Sequence, residues 1–286
     1  MKDQIDLSKM QSIPVVGASG QLRLHRYWKE PDGDMWDEIW KNTNAVDYWY
    51  SARAGKLEAD YERLFMKYLL PFRPNLEAVK ILEAGCGVGQ VAVALRARGF
   101  DCYGLDYAEK TIKLLNKQFP DYPFHKGDIR NLPYADASFD AYISLGVIEH
   151  FVEGQDVMLQ EAARIIKPGG YIFISVPALN GYRKLKCRMG RYKDEASAPF
   201  FESCLSVEEL YSLCISAGFK PIEHSYQNTV MTFAQETLIR PLYYLIEDIR
   251  YVRGIIDRFL RLILPKSWFG HMVMVVAQRT HDKIKP

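Results

Sequence analysis

The sequence predicts an α/β domain built on a parallel sheet, because short apolar runs alternate with amphipathic helical stretches from Val79 onward. A glycine-rich turn after the first run and acidic residues at the ends of three successive runs support the same fold class. This alternation is typical of parallel strands with helices on both faces of the sheet. The predicted strands are Val79–Ala84, Asp101–Leu105, Tyr122–Lys126, Phe139–Leu145, Tyr171–Val176, Phe219–Tyr226 and His271–Ala277.

Helices are predicted in the amphipathic segments that follow Gly89, Ala108, Gly154 and Ser206. Residues 1–75 are rich in aromatic and charged side chains, and their apolar positions recur at helical spacing from about residue 57 to residue 70. This pattern predicts an N-terminal helical cap over 1–75, joined to a main domain over 76–286. A helical insertion is predicted at about 228–269, between the sixth and seventh strands.

The composition is that of a globular protein, with 286 residues of which 48% are hydrophobic and 25% charged. A formal net charge of +2 provides no general attraction for nucleic acid, so no nucleic-acid partner is expected. The N-terminus lacks the pattern of a signal peptide and no apolar run is long enough to cross a membrane, which predicts a cytoplasmic protein. Five cysteines without a CxxC pair argue against a disulfide framework and a zinc site.

The segment ILEAGCGVGQVAVAL combines a strand, Glu83, three glycines at 85, 87 and 89, and the start of a helix. Glycines let the backbone approach a ligand closely, and a helix N-terminus offers free amide groups. The next strand ends in Asp106, from which a carboxylate can accept both hydroxyls of a ribose. Asp128 closes the third strand in HKGDIRNLPY. Three neighbouring strand ends therefore predict a crevice for a polar nucleoside.

A nicotinamide dinucleotide is the alternative ligand of this crevice. Gly87, Gly89 and Ala92 satisfy the loose pattern GxGxxG/A, and Asp106 follows at an acceptable distance. The acidic Glu83 before the first glycine, the tighter glycine repeat and the third strand's acidic end favour a different adenosine compound.

Five segments in order, ILEAGCGVG, GLDYAEKTI, GDIRNLP, SFDAYISLGVIEHF and ARIIKPGGYIFISVP, resemble the class I S-adenosylmethionine-dependent methyltransferases. The resemblance covers about residues 79–226 and is to the small-molecule branch that includes ubiquinone- and natural-product-modifying enzymes. It implies a Rossmann-like seven-stranded, mostly parallel sheet with an antiparallel last strand, and S-adenosylmethionine as the cofactor. The chain departs from the family where the long insertion replaces a short hairpin.

The resemblance also implies which residues bind the cofactor. The residues at the methionine portion of the cofactor and in the glycine turn beside it are Glu83, Ala84, Gly85, Gly87 and Gly89. The backbone of Leu145 would lie beside the amino-acid end of the cofactor. Those at its ribose and adenine are Asp106, Tyr107, Asp128 and Ile129.

His150 in GVIEHF is the predicted catalytic residue, because an imidazole with a pKa of about 6.5 can take a proton from a hydroxyl acceptor near neutral pH. The alternative is that His150 only orients the substrate or caps a helix. Glu149 is expected to face solvent or to play a structural part. Residues 144–147 read Ser-Leu-Gly-Val, where metal-assisted methylation would require carboxylates, so no metal is predicted.

The expected function is transfer of a methyl group to a small molecule, with oxygen as the favoured acceptor atom. Acceptor specificity is expected from the cap, from residues 177–205 and from the insertion. The cap aromatics Tyr48, Trp49 and Tyr50 either close over the cofactor or belong to the core. Two alternatives are a lipophilic or membrane-associated acceptor of the quinone or lipid type, and a cofactor-binding interaction protein without catalysis.

The insertion contains a helical stripe that can pack on the core, form a homodimer contact or touch a membrane surface. Its members are Leu242, Leu245, Ile249, Val252, Ile256, Phe259 and Ile263.

Overall fold

The computed structural model describes residues 10–17, 20–42, 45–72, 76–193, 195–236 and 250–280. Two sheets are present in these ranges, a large one of seven strands and a small one of three. The strands of the large sheet are β3 (Lys80–Ala84), β4 (Asp101–Asp106), β5 (Phe124–Lys126), β6 (Phe139–Leu145), β7 (Ile166–Pro177), β9 (Phe219–Gln227) and β10 (Met272–Arg279).

The large sheet has the strand order β5-β4-β3-β6-β7-β10-β9. Its first five strands are parallel, and β10 runs antiparallel to both β7 and β9. The predicted fold class is therefore confirmed, including the antiparallel last strand. The chain leaves β3 toward β4 on one side and returns to β6 on the other, so the carboxyl ends of these three strands meet at one edge. Such a reversal point is where open α/β sheets bind ligands.

The helices around this sheet begin where the sequence predicts. Gly89, Ala108, Gly154 and Ser206 each immediately precede a helix. Two separate groups of buried apolar side chains pack on the two faces of the sheet. The helices are α1 (Gly33–Asn42), α2 (Ala45–Arg53), α3 (Ala59–Leu69), α4 (Gln90–Ala97), α5 (Glu109–Gln118), α6 (Gln155–Ile165), α7 (Gly181–Arg188), α8 (Val207–Ser216), α9 (Thr229–Glu236), α10 (Arg250–Ile263) and α11 (Lys266–Phe269).

The N-terminal region differs from the predicted helical cap in its first part. Helices α1 to α3 are present, but they are preceded by strands β1 (Gln11–Val16) and β2 (Leu22–Tyr27). Strand β2 pairs antiparallel with β1 and with β8 (Phe200–Cys204), which forms the small sheet. Leu24 and Arg26 are the buried side chains of β2. An arginine on the inward side hides the apolar alternation by which a strand is recognised in sequence.

The insertion is described over α9, α10 and α11. Leu242, Leu245 and Ile249 of the predicted stripe lie outside the described residues. Helix α11 packs against α7 and α9, with Phe269 stacked on Tyr182 at a centroid distance of 5.6 Å. Within the described ranges, no helix is both long enough and apolar enough to cross a membrane.

Candidate active site

A cavity of about 620 Å³ lies at the carboxyl ends of β3, β4 and β6. Its size is within the range of small-molecule sites, which run from roughly 300 to 1,000 Å³. The cavity includes nine of the residues predicted from the sequence, which are Glu83, Gly85, Gly87, Asp106, Tyr107, Asp128, Ile129, Leu145 and His150. Ala84 is fully buried in β3 and Gly89 precedes the first residue of α4, and neither is part of the lining.

The glycine turn after β3 needs glycine at two positions for identifiable reasons. Gly85 and Gly87 have φ values of 77° and 48°, in the left-handed region that other residues rarely adopt. A β-carbon at Gly85 would lie 2.3 Å from a side-chain carbon of Val147, and one at Gly87 would lie 2.7 Å from the Trp40 ring. The turn is therefore packed against the segment that follows β6 on one side and against the N-terminal region on the other.

Asp106 joins the glycine turn to the end of β4. Its Oδ2 accepts a hydrogen bond from Gly87 N at 2.8 Å, and its Oδ1 accepts one from Ala108 N at 2.9 Å. The side chain is buried, and burial raises the pKa of its carboxyl group. Each carboxylate oxygen has a second lone pair, so Asp106 retains the capacity to accept hydrogen bonds from a ligand.

Glu83 is fixed by the helix that it faces. Its Oε2 accepts a hydrogen bond from Ala92 N in the first turn of α4, at 2.7 Å. Burial raises the pKa of Glu83 to about 8, with the nearby Asp106 adding to the effect. A positively charged ligand group in the cavity would favour the ionised form of this carboxyl group.

Asp128 is engaged by a residue that sequence reasoning did not single out. Arg130 forms a two-pronged ion pair with Asp128, with Nη2 2.6 Å from Oδ2 and Nε 3.0 Å from Oδ1. This guanidinium lowers the pKa of the Asp128 carboxyl group. The neighbouring Ile129 is buried, whereas Tyr107 is partly exposed and donates its hydroxyl to the Pro31 carbonyl at 2.7 Å. All five of these residues line the cavity.

His150 lines the same cavity and lies in a 3₁₀ turn after β6 that spans Ile148–His150. Its Nδ1 is 2.8 Å from the Phe201 carbonyl oxygen. A carbonyl oxygen can only accept, so Nδ1 carries the proton and the Nε2 lone pair is left available. Burial lowers the pKa of His150, which keeps the imidazole neutral at pH 7. The rings of Trp36 and Phe201 contact it at centroid distances of 4.9 and 4.8 Å.

Glu149 does not face bulk solvent, because it is only 2% exposed and lines the cavity. Its Oε2 has no hydrogen-bond partner among the described residues. Burial raises the pKa of the Glu149 carboxyl group, and the nearby Glu202 adds to this shift. Glu202 of β8 also lines the cavity and forms an ion pair with Arg26, with Oε1 2.7 Å from Nη1.

The three cap aromatics have different environments. Tyr48 lines the cavity, whereas Trp49 is buried and donates its Nε1 to the Val88 carbonyl at 2.8 Å. Tyr50 is 81% exposed. The cap rings at the cavity that were not predicted are Tyr61, Trp36 and Trp40, of which the two tryptophans stack at a centroid distance of 5.9 Å. Their spacing of four residues on α1 is a signal for one helical face, but it does not distinguish a core from a pocket.

Residues 82–174 match a family described as methyltransferase domain. A probable S-adenosylmethionine-dependent methyltransferase of Mycolicibacterium smegmatis is 33% identical over 140 residues, which cover 49% of this chain and 51% of the relative. A malonyl-[acyl-carrier protein] O-methyltransferase of Erwinia pyrifoliae is 31% identical over 135 residues, covering 47% and 51%. This chain thus spans about half the length of these curated relatives.

A solved structure from Methanosarcina mazei, described as an S-adenosylmethionine-dependent methyltransferase, superimposes with a TM-score of 0.52. The superposition covers 79% of this chain and all of the other, at 14% sequence identity. At that identity the likeness concerns the fold.

Proposed function

Because the chain carries the methyltransferase domain of the class I S-adenosylmethionine-dependent methyltransferases, we propose that it transfers a methyl group from this cofactor to an oxygen of a small molecule. The observation that carries the proposal is one cavity that is lined both by the glycine turn with Asp106 and by His150. We assign the glycine turn and Asp106 to the donor end of this cavity and His150 to its acceptor end. A donor and an acceptor bound there would share one cavity.

The donor end fits an adenosine with an amino-acid tail. Asp106 has lone pairs available for ribose hydroxyls, and the left-handed conformations of Gly85 and Gly87 form the turn whose Gly87 N–H binds Asp106. Ile129 and Asp128 would contact the adenine, Tyr107 would flank it, and the backbone at Leu145 would lie beside the amino-acid end. The bound cofactor supplies a methyl carbon already activated by a sulfonium. The residues around it therefore need only hold the reactants in line and exclude water, which can supply roughly 7–11 kcal/mol of the barrier.

The acceptor end fits a hydroxyl that must lose a proton. The neutral imidazole of His150 keeps its Nε2 lone pair available because Nδ1–H is engaged by the Phe201 carbonyl. We assign His150 to activation of the acceptor hydroxyl, either by taking its proton or by holding a group that makes the proton easier to lose. The relative from Erwinia pyrifoliae is named as an O-methyltransferase, which agrees with an oxygen acceptor.

Incubation of the full chain with S-adenosylmethionine carrying an isotope-labelled methyl group, together with a panel of hydroxylated metabolites, tests the proposed function. We expect labelled product and S-adenosylhomocysteine in equal amounts. Binding of S-adenosylhomocysteine without product from any acceptor would favour a cofactor-binding protein without catalysis. Binding of a nicotinamide dinucleotide in place of S-adenosylhomocysteine would refute the assignment of the cofactor.

His150→Ala is expected to lower turnover on the order of 100-fold, which is the usual contribution of a positioned acid or base. The affinity for S-adenosylhomocysteine should stay the same, because His150 is not among the residues that are predicted to contact the cofactor. Steady-state kinetics and calorimetric titration measure the two quantities. His125→Ala is the control, since His125 bonds the Tyr134 hydroxyl and is not part of the lining. Wild-type turnover in the His150 variant would remove this residue from the mechanism.

A lipophilic or membrane-associated acceptor is the second candidate substrate, and helix α10 favours it. Ile255, Phe259, Leu262 and Ile263 are between 54% and 81% exposed and follow the spacing of one helical face. Such a face can rest on a lipid surface or pair with a second copy of the chain. Co-sedimentation of the full chain with anionic vesicles, compared with Leu262→Glu, separates the two: loss of sedimentation in the variant supports membrane contact. If neither form sediments with the vesicles, the result contradicts membrane contact and favours pairing of this face with a second copy of the chain.

A further inference from the structure

We propose that Glu149, His150 and Glu202 bind a divalent transition-metal cation, Mn²⁺ or Zn²⁺, at the acceptor end of the cavity. One potential donor atom from each of these side chains lies within 4.8 Å of the other two. All three residues line the cavity, so a cation held by them would be within reach of an acceptor. The role given to the cation below rests on the proposed function, whereas its binding does not.

Glu149 is the residue that most needs a partner. It is 98% buried, and its Oε2 has no hydrogen-bond partner among the residues that the structure describes. A buried carboxylate oxygen without a partner is unfavourable, and buried carboxylates are normally paired or coordinate a metal. The side chain is held at the cavity by the 3₁₀ turn after β6. A cation in the cavity would provide the missing partner.

His150 has the surroundings of a metal-ligating histidine. A ligating imidazole almost always donates its other ring N–H to a carboxylate or a backbone carbonyl, which fixes the ring orientation. In this chain Nδ1–H donates to the Phe201 carbonyl at 2.8 Å, and Trp36 packs against the ring. The remaining nitrogen, Nε2, is the one that a cation would use.

Glu202 is supported in the way that ligating carboxylates usually are. Its Oε1 accepts a hydrogen bond from Arg26 at 2.7 Å, and Arg26 is also paired with Glu236 at 3.1 Å. Ligating carboxylates are commonly hydrogen-bonded by a further residue that orients them. Arg26 carries one positive charge and pairs with two glutamates, so it neutralises the negative charge of Glu202 only in part.

The donor set fits a particular class of cation. One imidazole nitrogen suits Zn²⁺ and similar ions, and two carboxylates suit Mn²⁺ and other hard ions. Three protein ligands leave a position open, as in catalytic metal sites. The sequence expectation of no metal rested on residues 144–147 and on the cysteines. The structure instead brings Glu149 and His150 together with Glu202, which is more than fifty residues away in the chain.

A cation at this site would act on the acceptor oxygen. It would withdraw electron density from the acceptor hydroxyl and lower its pKa, so that the proton passes to a water molecule. The oxygen lone pair then forms the bond to the methyl carbon while the carbon–sulfur bond breaks and its electron pair returns to sulfur. His150 would hold the cation and would not take the proton itself.

Titration of the chelator-treated full chain with Mn²⁺ tests the site directly. The electron paramagnetic resonance signal of free Mn²⁺ should decrease until one ion is bound per chain. Glu149→Gln should weaken Mn²⁺ binding at least about 10-fold, because loss of a ligand should cost no less than loss of a supporting residue. Glu161→Gln is the matched control, since Glu161 pairs with Arg164 outside the cavity. A parallel calorimetric titration with Zn²⁺ extends the measurement to the second cation.

Thermal unfolding keeps the test independent of folding defects. Without metal, Glu149→Gln should unfold at the same temperature as the wild type or higher, because it removes a buried carboxyl group whose Oε2 has no partner among the described residues. At the same Mn²⁺ concentration, the unfolding temperature of the wild type should rise more than that of this variant. The proposal would be overturned if the wild type bound neither Mn²⁺ nor Zn²⁺. It would also be overturned if Glu149→Gln bound the cation as tightly as the wild type does. Methyl transfer in the presence of excess chelator would leave the proposed function standing without a role for the metal. Stoichiometric Mn²⁺ binding without methyl transfer to any acceptor would support the metal site and contradict the proposed function.

Discussion

Arg183→Met is expected to reduce the free energy of unfolding by about 3–5 kcal/mol, which is typical when one partner of a buried ion pair is removed. Arg183 is fully buried, and its Nη2 lies 2.7 Å from Glu236 Oε1. It also donates to the Ala178 carbonyl at 2.6 Å and contacts His271 Nδ1 at 2.9 Å. Methionine fills much of the same space but leaves these acceptors without their donor. Denaturant unfolding at pH 7 measures the loss.

Lys184→Met is the matched control, because Lys184 is the next residue of helix α7. It is 38% exposed on its side chain and lies 3.5 Å from Glu208, which is itself largely exposed. Exposed pairs of this kind contribute about 0–1 kcal/mol. An equal loss of stability in the two variants would contradict the importance assigned to the buried cluster.

The effect of Arg183→Met should also depend on pH. Burial alone would raise the pKa of Glu236, but Arg183 and Arg26 outweigh it and hold this pKa well below its ordinary value of 4.5. A carboxyl group with a lowered folded-state pKa adds stability above its ordinary pKa and loses it as pH falls through the folded value. The difference between wild type and variant should therefore be full above pH 4.5 and become smaller below it. A difference that grows on acidification would show that Glu236 is not the group involved.

Asp106→Ala is expected to weaken S-adenosylhomocysteine binding by about 2–4 kcal/mol. Two contributions combine, since the variant loses charged acceptors for the ribose hydroxyls and the hydrogen bond that holds Gly87 N. Calorimetric titration measures the affinity. Unchanged affinity would refute the ribose-binding role of Asp106.

Asp101→Ala is the control for this variant. Asp101 begins the strand that Asp106 ends, and it pairs with Arg96 at 3.1 Å at the opposite edge of the sheet. We expect it to bind S-adenosylhomocysteine as the wild type does. A comparable loss in both variants would indicate a general weakening of β4.

The sequence alone was sufficient to predict the fold class, because the features that specify it are local. Each strand and the helix after it are recognisable from the periodicity of a few residues, and glycines at 85, 87 and 89 mark the turn between β3 and α4. The carboxyl ends of adjacent parallel strands meet at one edge, so Asp106 and Asp128 could be assigned to one crevice without coordinates.

Contacts between distant parts of the chain could not be predicted in the same way. The pairing of β2 with β8 brings Arg26 to Glu202, which is separated from it by 176 residues. Neither residue has a local pattern that indicates a site. Glu149 was expected to face solvent or to be structural, because charged residues are seldom buried.

The sequence by itself determined the fold class and the position of the predicted cofactor crevice, since both follow from short-range periodicity and from the geometry of parallel strands. Only the tertiary structure decided the composition of the acceptor end. There the small sheet, the turn after β6 and the N-terminal helices meet, and burial and charge depend on which distant residues pack together.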